Sequence, residues 1–79
     1  MEALDGNAIA GPLMDYYGRE MTTEAGACGH CGTVTMVAEL RVYMRAPGTV
    51  ARCPTCGEIV LVLLEIRGRS QVYSDDFTL

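Results

Sequence analysis

The sequence predicts a small α+β fold: an antiparallel sheet of three to four strands, pinned by a bound metal and preceded by one helix. Three observations carry that prediction. Two Cys-x2-Cys pairs, Cys28-Gly29-His30-Cys31 and Cys53-Pro54-Thr55-Cys56, use all 4 cysteines of the 79-residue chain. Around and after them run stretches rich in β-branched or alternating residues, interrupted at Ala46-Pro47-Gly48-Thr49, which reads as strands about a turn. Ahead of them, Ala8, Ile9, Leu13, Tyr16 and Tyr17 recur at helical intervals between a capping sequence and Gly18, as on a helix with one apolar face.

Two residues between cysteines is the separation at which one tight turn aims both sulfurs at a single ion. Gly32 and Gly57, each directly after a pair, permit the positive φ such a turn needs. The gap of 21 residues between Cys31 and Cys53 is one beyond the usual range for a paired Cys-x2-Cys zinc site. Two such turns facing each other close a tetrahedron. The expected fold is therefore a zinc ribbon, with Cys28, Cys31, Cys53 and Cys56 as ligands of one Zn²⁺ ion. A chain of 79 residues is one domain near the size at which a hydrophobic core alone gives marginal stability. Zinc binding in such modules contributes on the order of 10 kcal/mol, because the unfolded chain has no preformed site. Iron fits the same tetrahedron less well, since a closed site of four cysteines in a reducing compartment is the common structural zinc site.

In an oxidising compartment the same cysteines would form two disulfides. The start Met1-Glu2-Ala3-Leu4-Asp5 has neither a basic segment nor a long apolar one, so the expected location is cytoplasmic. The longest apolar run, Ile59 to Leu64, is far short of a membrane span. Formal net charge is −4, and four thiolates with one divalent ion would bring it to about −6. General binding to phosphate backbones is disfavoured accordingly. The charge is uneven: in residues 1–27, Glu2, Asp5, Asp15, Glu20 and Glu24 outweigh Arg19, and residues 57–79 are also acidic. Only the ribbon between the cysteine pairs is basic, with Arg41, Arg45 and Arg52 against Glu39.

In chain order, residues 1–18 form the N-terminal helix. Asp5 or Asn7 caps it, Gly18 stops it, and Pro12 either kinks it or opens a second short turn. Residues 19–27 have small polar side chains and weak periodicity and read as a connector. Residues 28–74 form the ribbon and 75–79 a loose tail. Placing Arg45 opposite Val50 across the turn puts Leu40, Val42, Met44, Ala46, Ala51 and Cys53 on a core face and Arg41, Tyr43, Arg45, Val50 and Arg52 on the other. In the strand after the second pair, the even positions Val60 to Ile66 stay apolar throughout and are expected to be buried. Ile59, Leu61 and Leu63 require a cover, which the helix or a second copy of the chain would supply. Gly68-Arg69 then turns the chain into a short strand, Ser70 to Ser74.

With four thiolates filling the tetrahedron, His30 is expected to be an exposed loop residue and not a ligand. No Ser/His/Asp arrangement, activated cysteine or pair of carboxylates at helical spacing is present, and Asp75-Asp76 reads as a solvated tail, so no enzymatic activity is expected. Arg41, Tyr43, Arg45 and Arg52 form the candidate recognition face: arginine offers planar bidentate donors, and Tyr43 can stack with Arg52. The plainer reading of that face is a solvated sheet surface.

Leu4-Asp5-Gly6-Asn7-Ala8, the Cys28/Cys31 pair, Leu40-Arg41-Val42-Tyr43, Ala46-Pro47-Gly48 and Arg52-Cys53-Pro54 stand in this order. Together they resemble a family of short bacterial zinc-ribbon proteins of unassigned function, over nearly the whole chain. The resemblance implies a zinc ribbon with these four cysteines as ligands and carries over no catalytic residue. The cysteine turns also resemble the iron-binding loops of rubredoxins, but this chain has one Phe and no Trp where that family surrounds its iron with aromatic residues. The expected role is protein–protein recognition by a monomer or homodimer without membrane contact; the alternatives are a nucleic-acid contact through the arginines and rubredoxin-like electron transfer.

Overall fold

A computed structural model describes residues 4–45 and 48–79, with Arg45 described by its backbone alone. It holds one N-terminal helix and two antiparallel sheets, the α+β class the sequence predicts. Asp5 opens the helical segment by accepting the Asn7 amide on its carboxylate at 3.0 Å, the side-chain cap that an unpaired first-turn N–H requires. A 3-10 turn over Gly6–Ile9 runs directly into helix α1, Ala10–Tyr17. Pro12 therefore falls in the first turn of α1, where its missing N–H costs nothing, and the segment is two turns in succession. Gly18, at φ 75°, ends it by donating its N–H to the Met14 carbonyl at 2.7 Å.

Strands β1 (Ala25–Cys28), β2 (Val34–Met36) and β7 (Phe77–Thr78) form one sheet in the order β2-β1-β7. Strands β3 (Arg41–Arg45), β4 (Gly48–Arg52), β5 (Ile59–Ile66) and β6 (Arg69–Tyr73) form the other, in sequence order. Leu4 exchanges two backbone hydrogen bonds with Val42, at 2.8 and 2.7 Å, which caps part of the outer edge of β3. Ile9 and Leu13 are buried in one cluster with Val42, Ala51, Leu61 and Leu63, so the helical segment covers one face of the four-stranded sheet. Each such side chain contributes about 1.5–3 kcal/mol through burial. No helix among the described residues is long and apolar enough to cross a membrane.

Five expectations are corrected. The 19–27 connector contains β1, and the 75–79 tail contains β7, which pairs Phe77 with Cys28 and Thr78 with Ala27. The cause is tertiary. Phe77 is 3% exposed and lies over Gly26, where a Cβ would come within 2.6 Å of its ring. The β3–β4 register is two residues tighter than expected, with Arg45 opposite Gly48 and Val42 opposite Ala51. A shift of two preserves side-chain parity, so Val42 and Ala51 still share the core face; the expected turn residues Ala46 and Pro47 lie outside the described residues. In β5 Leu61 and Leu63 lie under the helix as expected, but the even positions are not buried throughout: Val62 and Leu64 are half-buried and Ile66 is 50% exposed. The register places Leu61 opposite Ala51, and Ala51 belongs to the covered face. A bulge between Ala51 and Arg52 lets Val60 be buried next to Leu61. Finally, the β5–β6 loop is Arg67-Gly68, and not Gly68-Arg69. Both residues have positive φ, 53° and 76°, and Ile66 pairs with Arg69, the two-residue hairpin geometry that matches strand twist.

Candidate metal centre

Each sheet contributes one cysteine turn. The first joins β1 to β2 and the second joins β4 to β5. The two turns repeat the same bonds: Cys28 and Cys53 each donate their N–H to the carbonyl five residues on, Thr33 and Glu58, both at 2.9 Å. Gly32 and Gly57 each donate to the carbonyl of the first cysteine, at 2.8 and 2.9 Å. Both glycines have φ 78°, the positive value anticipated from their position. The His30 and Thr55 amides reach the sulfurs of Cys28 and Cys53, each at 3.4 Å. In each turn the first cysteine is buried and the second exposed, so the site has an inner and an outer pair.

The two turns face each other. Cys28 Sγ is 3.7 Å from Cys56 Sγ, and Cys31 Sγ is 3.7 Å from Cys53 Sγ. All four sulfurs lie within 4.8 Å of one another. Thiolates held about 2.3 Å from a central ion sit about 3.8 Å apart in a regular tetrahedron, so the cluster has the size of a closed four-thiolate site.

The thiol chemistry points the same way. Cys31 is held down to about 6, foremost by the Thr33 hydroxyl, 3.3 Å from its sulfur, and then by the Thr33 amide. Cys53 is lowered as well: burial raises it, but the Cys56 and Thr55 amides outweigh that cost. Cys56 is pushed up to about 12; the Glu58 amide lowers it, yet desolvation and the three neighbouring sulfurs prevail. Within the cluster, Cys31 and Cys53 thus release their protons readily and Cys56 resists doing so. A cation at the centre removes that conflict, so the four cysteines are together able to bind a metal ion.

A model of the family of unknown function DUF6510 matches residues 1–76. The chain belongs to DUF6510. No curated protein and no solved structure matches it. In this DUF6510 chain the match covers the helix, both cysteine turns and strands β1 to β6, and stops just before β7.

Of the other residues singled out in the sequence, Arg41, Tyr43 and Arg52 lie together on the sheet face turned away from α1. Arg41 pairs directly with Arg52, and Tyr43 with Val50, so Tyr43 and Arg52 are diagonal neighbours and not the directly opposed pair expected. They still meet, with Arg52 Cζ 5.9 Å from the Tyr43 ring centroid. The Arg45 side chain lies outside the described residues. His30 is exposed as expected, but Asp76 is no free tail residue: its carbonyl accepts the Gly29 amide at 2.7 Å, and its carboxylate lies 3.4 Å from His30 Nε2. Val62, Leu64, Ile66 and Tyr73 extend the same open face, which sequence reasoning missed because β5 is apolar on both sides. The period-2 pattern of β5 and β6, once registered on β4, was the signal that could have found them.

Proposed function

We propose that this chain is a non-enzymatic zinc ribbon of the cytoplasm, in which one Zn²⁺ held by Cys28, Cys31, Cys53 and Cys56 locks two small sheets into one rigid surface for binding another protein. The observation that carries the reading is the pair of 3.7 Å sulfur contacts between turns of different sheets. A closed set of four thiolates leaves no open coordination position for substrate, which suits a structural role over a catalytic one. Zinc is preferred to iron because the turns sit among Thr33, His30 and Thr55, without the aromatic surround of an electron carrier.

Affinity capture of the tagged chain from its native host after nuclease treatment, followed by metal analysis, tests the proposal. The expected result is one zinc per chain and a protein partner that survives the nuclease. Retention of nucleic acid that elutes with salt, or a coloured iron-loaded product, would replace it with the corresponding alternative.

A further inference from the structure

The four-stranded sheet is covered on one face only. Across its open face one register row runs through all four strands: Tyr43 pairs with Val50, Val50 with Val62, and Val62 with Tyr73. Tyr73 is 51% exposed and Ile66 50%. In the neighbouring row Gly48 pairs with Leu64 and has no side chain to fill the space. The result is a trough of about 530 Å³ floored by Val50, Val62 and Leu64 and walled by Tyr43 and Arg52.

One end of this trough is electrostatically incomplete. Arg41 and Arg52 stand directly opposite each other on β3 and β4, a placement of like charges that destabilises an antiparallel pair. Arg52 donates to the Gly57 carbonyl at 2.8 Å and rests against Tyr43, but among the described residues neither guanidinium pairs with a carboxylate. A carboxylate between them would satisfy both with charge-assisted bonds.

We propose that this face docks an acidic, apolar segment of another protein, its apolar side chains on Val50, Val62 and Leu64 and a carboxylate between Arg41 and Arg52. The inference rests on the interaction-module reading above and names the partner's chemistry. Charge decides among occupants. A second copy would meet this face with its own arginines, since no described residue of β3 to β6 on the open face is acidic. A nucleic acid would meet an aliphatic floor of Val50, Val62 and Leu64 in place of a row of stacking rings.

The test uses the zinc-loaded full chain and a labelled peptide alternating Leu and Glu, followed by fluorescence anisotropy. The same peptide with every Glu→Gln and an oligothymidylate serve as competitors. The account expects the Glu peptide to bind, and the Gln form to bind about tenfold or more weakly. Arg41→Glu and Tyr73→Ser, neither of which touches the cysteine turns, should each weaken binding by about tenfold. Arg41→Glu should in turn favour a Leu-Lys peptide, which a merely misfolded variant would not do. Equal binding of the Glu and Gln peptides, tighter binding of the oligothymidylate, or binding unchanged in both variants would overturn the proposal. So would sedimentation as a dimer with Tyr73 and Ile66 protected. A partner captured from the host that still binds the Tyr73→Ser and Arg41→Glu variants would leave the interaction-module reading intact and refute this surface.

Discussion

The sulfur of Cys31, on the turn after β1, lies 3.7 Å from the sulfur of Cys53, on the turn after β4. That contact and its counterpart between Cys28 and Cys56 cross from one sheet to the other, so an ion at their centre acts on the relation between sheets as well as on each turn. A small domain with limited core gains most from such a link.

Replacing one inner ligand should therefore undo more than the site. Cys53→Ser is expected to lower bound zinc from one per chain to near zero and to abolish cooperative unfolding, because metal affinity supplies on the order of 10 kcal/mol of folding free energy. Elemental analysis and a thermal melt of the purified variant check both; a variant that melts like the parent contradicts the prediction.

Two glycines should respond oppositely to alanine. At Gly6 an added Cβ would lie 1.6 Å from the Val37 carbonyl oxygen, a backbone atom that cannot step aside, so Gly6→Ala should cost more than about 3 kcal/mol. Gly11, in α1, has nothing within 4 Å of the added atom, so Gly11→Ala should stabilise by about 0.5–1 kcal/mol through helix propensity. Urea denaturation of the zinc-loaded variants measures both signs.

Phe77→Ala should cost about 3–5 kcal/mol, the usual range for a buried aromatic. It removes the ring over Gly26 and the anchor of β7. Hydrogen exchange would register the loss first at the Gly29 amide, which bonds the Asp76 carbonyl. An unchanged melt would mean that the C-terminal strand is dispensable.

The cysteine turns were legible in the sequence because their chemistry is local: two residues between cysteines and a glycine behind them fix the turn without reference to the rest of the chain. The cap at Asp5 and the stop at Gly18 were legible for the same reason, whereas Pro12 signalled a break in the helical segment that falls two residues earlier, between Ile9 and Ala10. Strands β1 and β7 were not legible. Ala25-Gly26-Ala27 has little strand propensity, and Phe77-Thr78 is too short to show a period; β1 is a strand because β2 and β7 flank it, and β7 because β1 is there to pair with. In β5 the cover over Leu61 and Leu63 was legible, but the exposure of Ile66 was not, because both faces are apolar and their burial depends on a bulge and a register that only pairing with β4 creates. The open face of the four-stranded sheet was half legible: Arg41, Tyr43 and Arg52 were visible on one hairpin, and the aliphatic floor needed the register of two further strands.

Acid should act on the connector before β1. The Glu20 carboxylate accepts the Thr22 amide at 2.7 Å and also the Thr22 hydroxyl, and these bonds, the hydroxyl foremost, hold its pKa below the ordinary glutamate value. A carboxylate depressed on folding adds stability that is present above its unfolded pKa and disappears as pH falls through the folded one. Carbon-detected NMR titration should show Glu20 titrating below the ordinary glutamate value, and Thr22→Val should move it up toward that value. A Glu20 indifferent to Thr22→Val would remove this contact from the account.

The central claim is that one ion held by four sulfurs is part of the fold. Thermal unfolding of the purified chain before and after exhaustive chelation under reducing conditions tests it most directly. The account predicts a single cooperative transition that vanishes with the metal and returns when one equivalent of zinc is restored; a transition that survives chelation unchanged would contradict it.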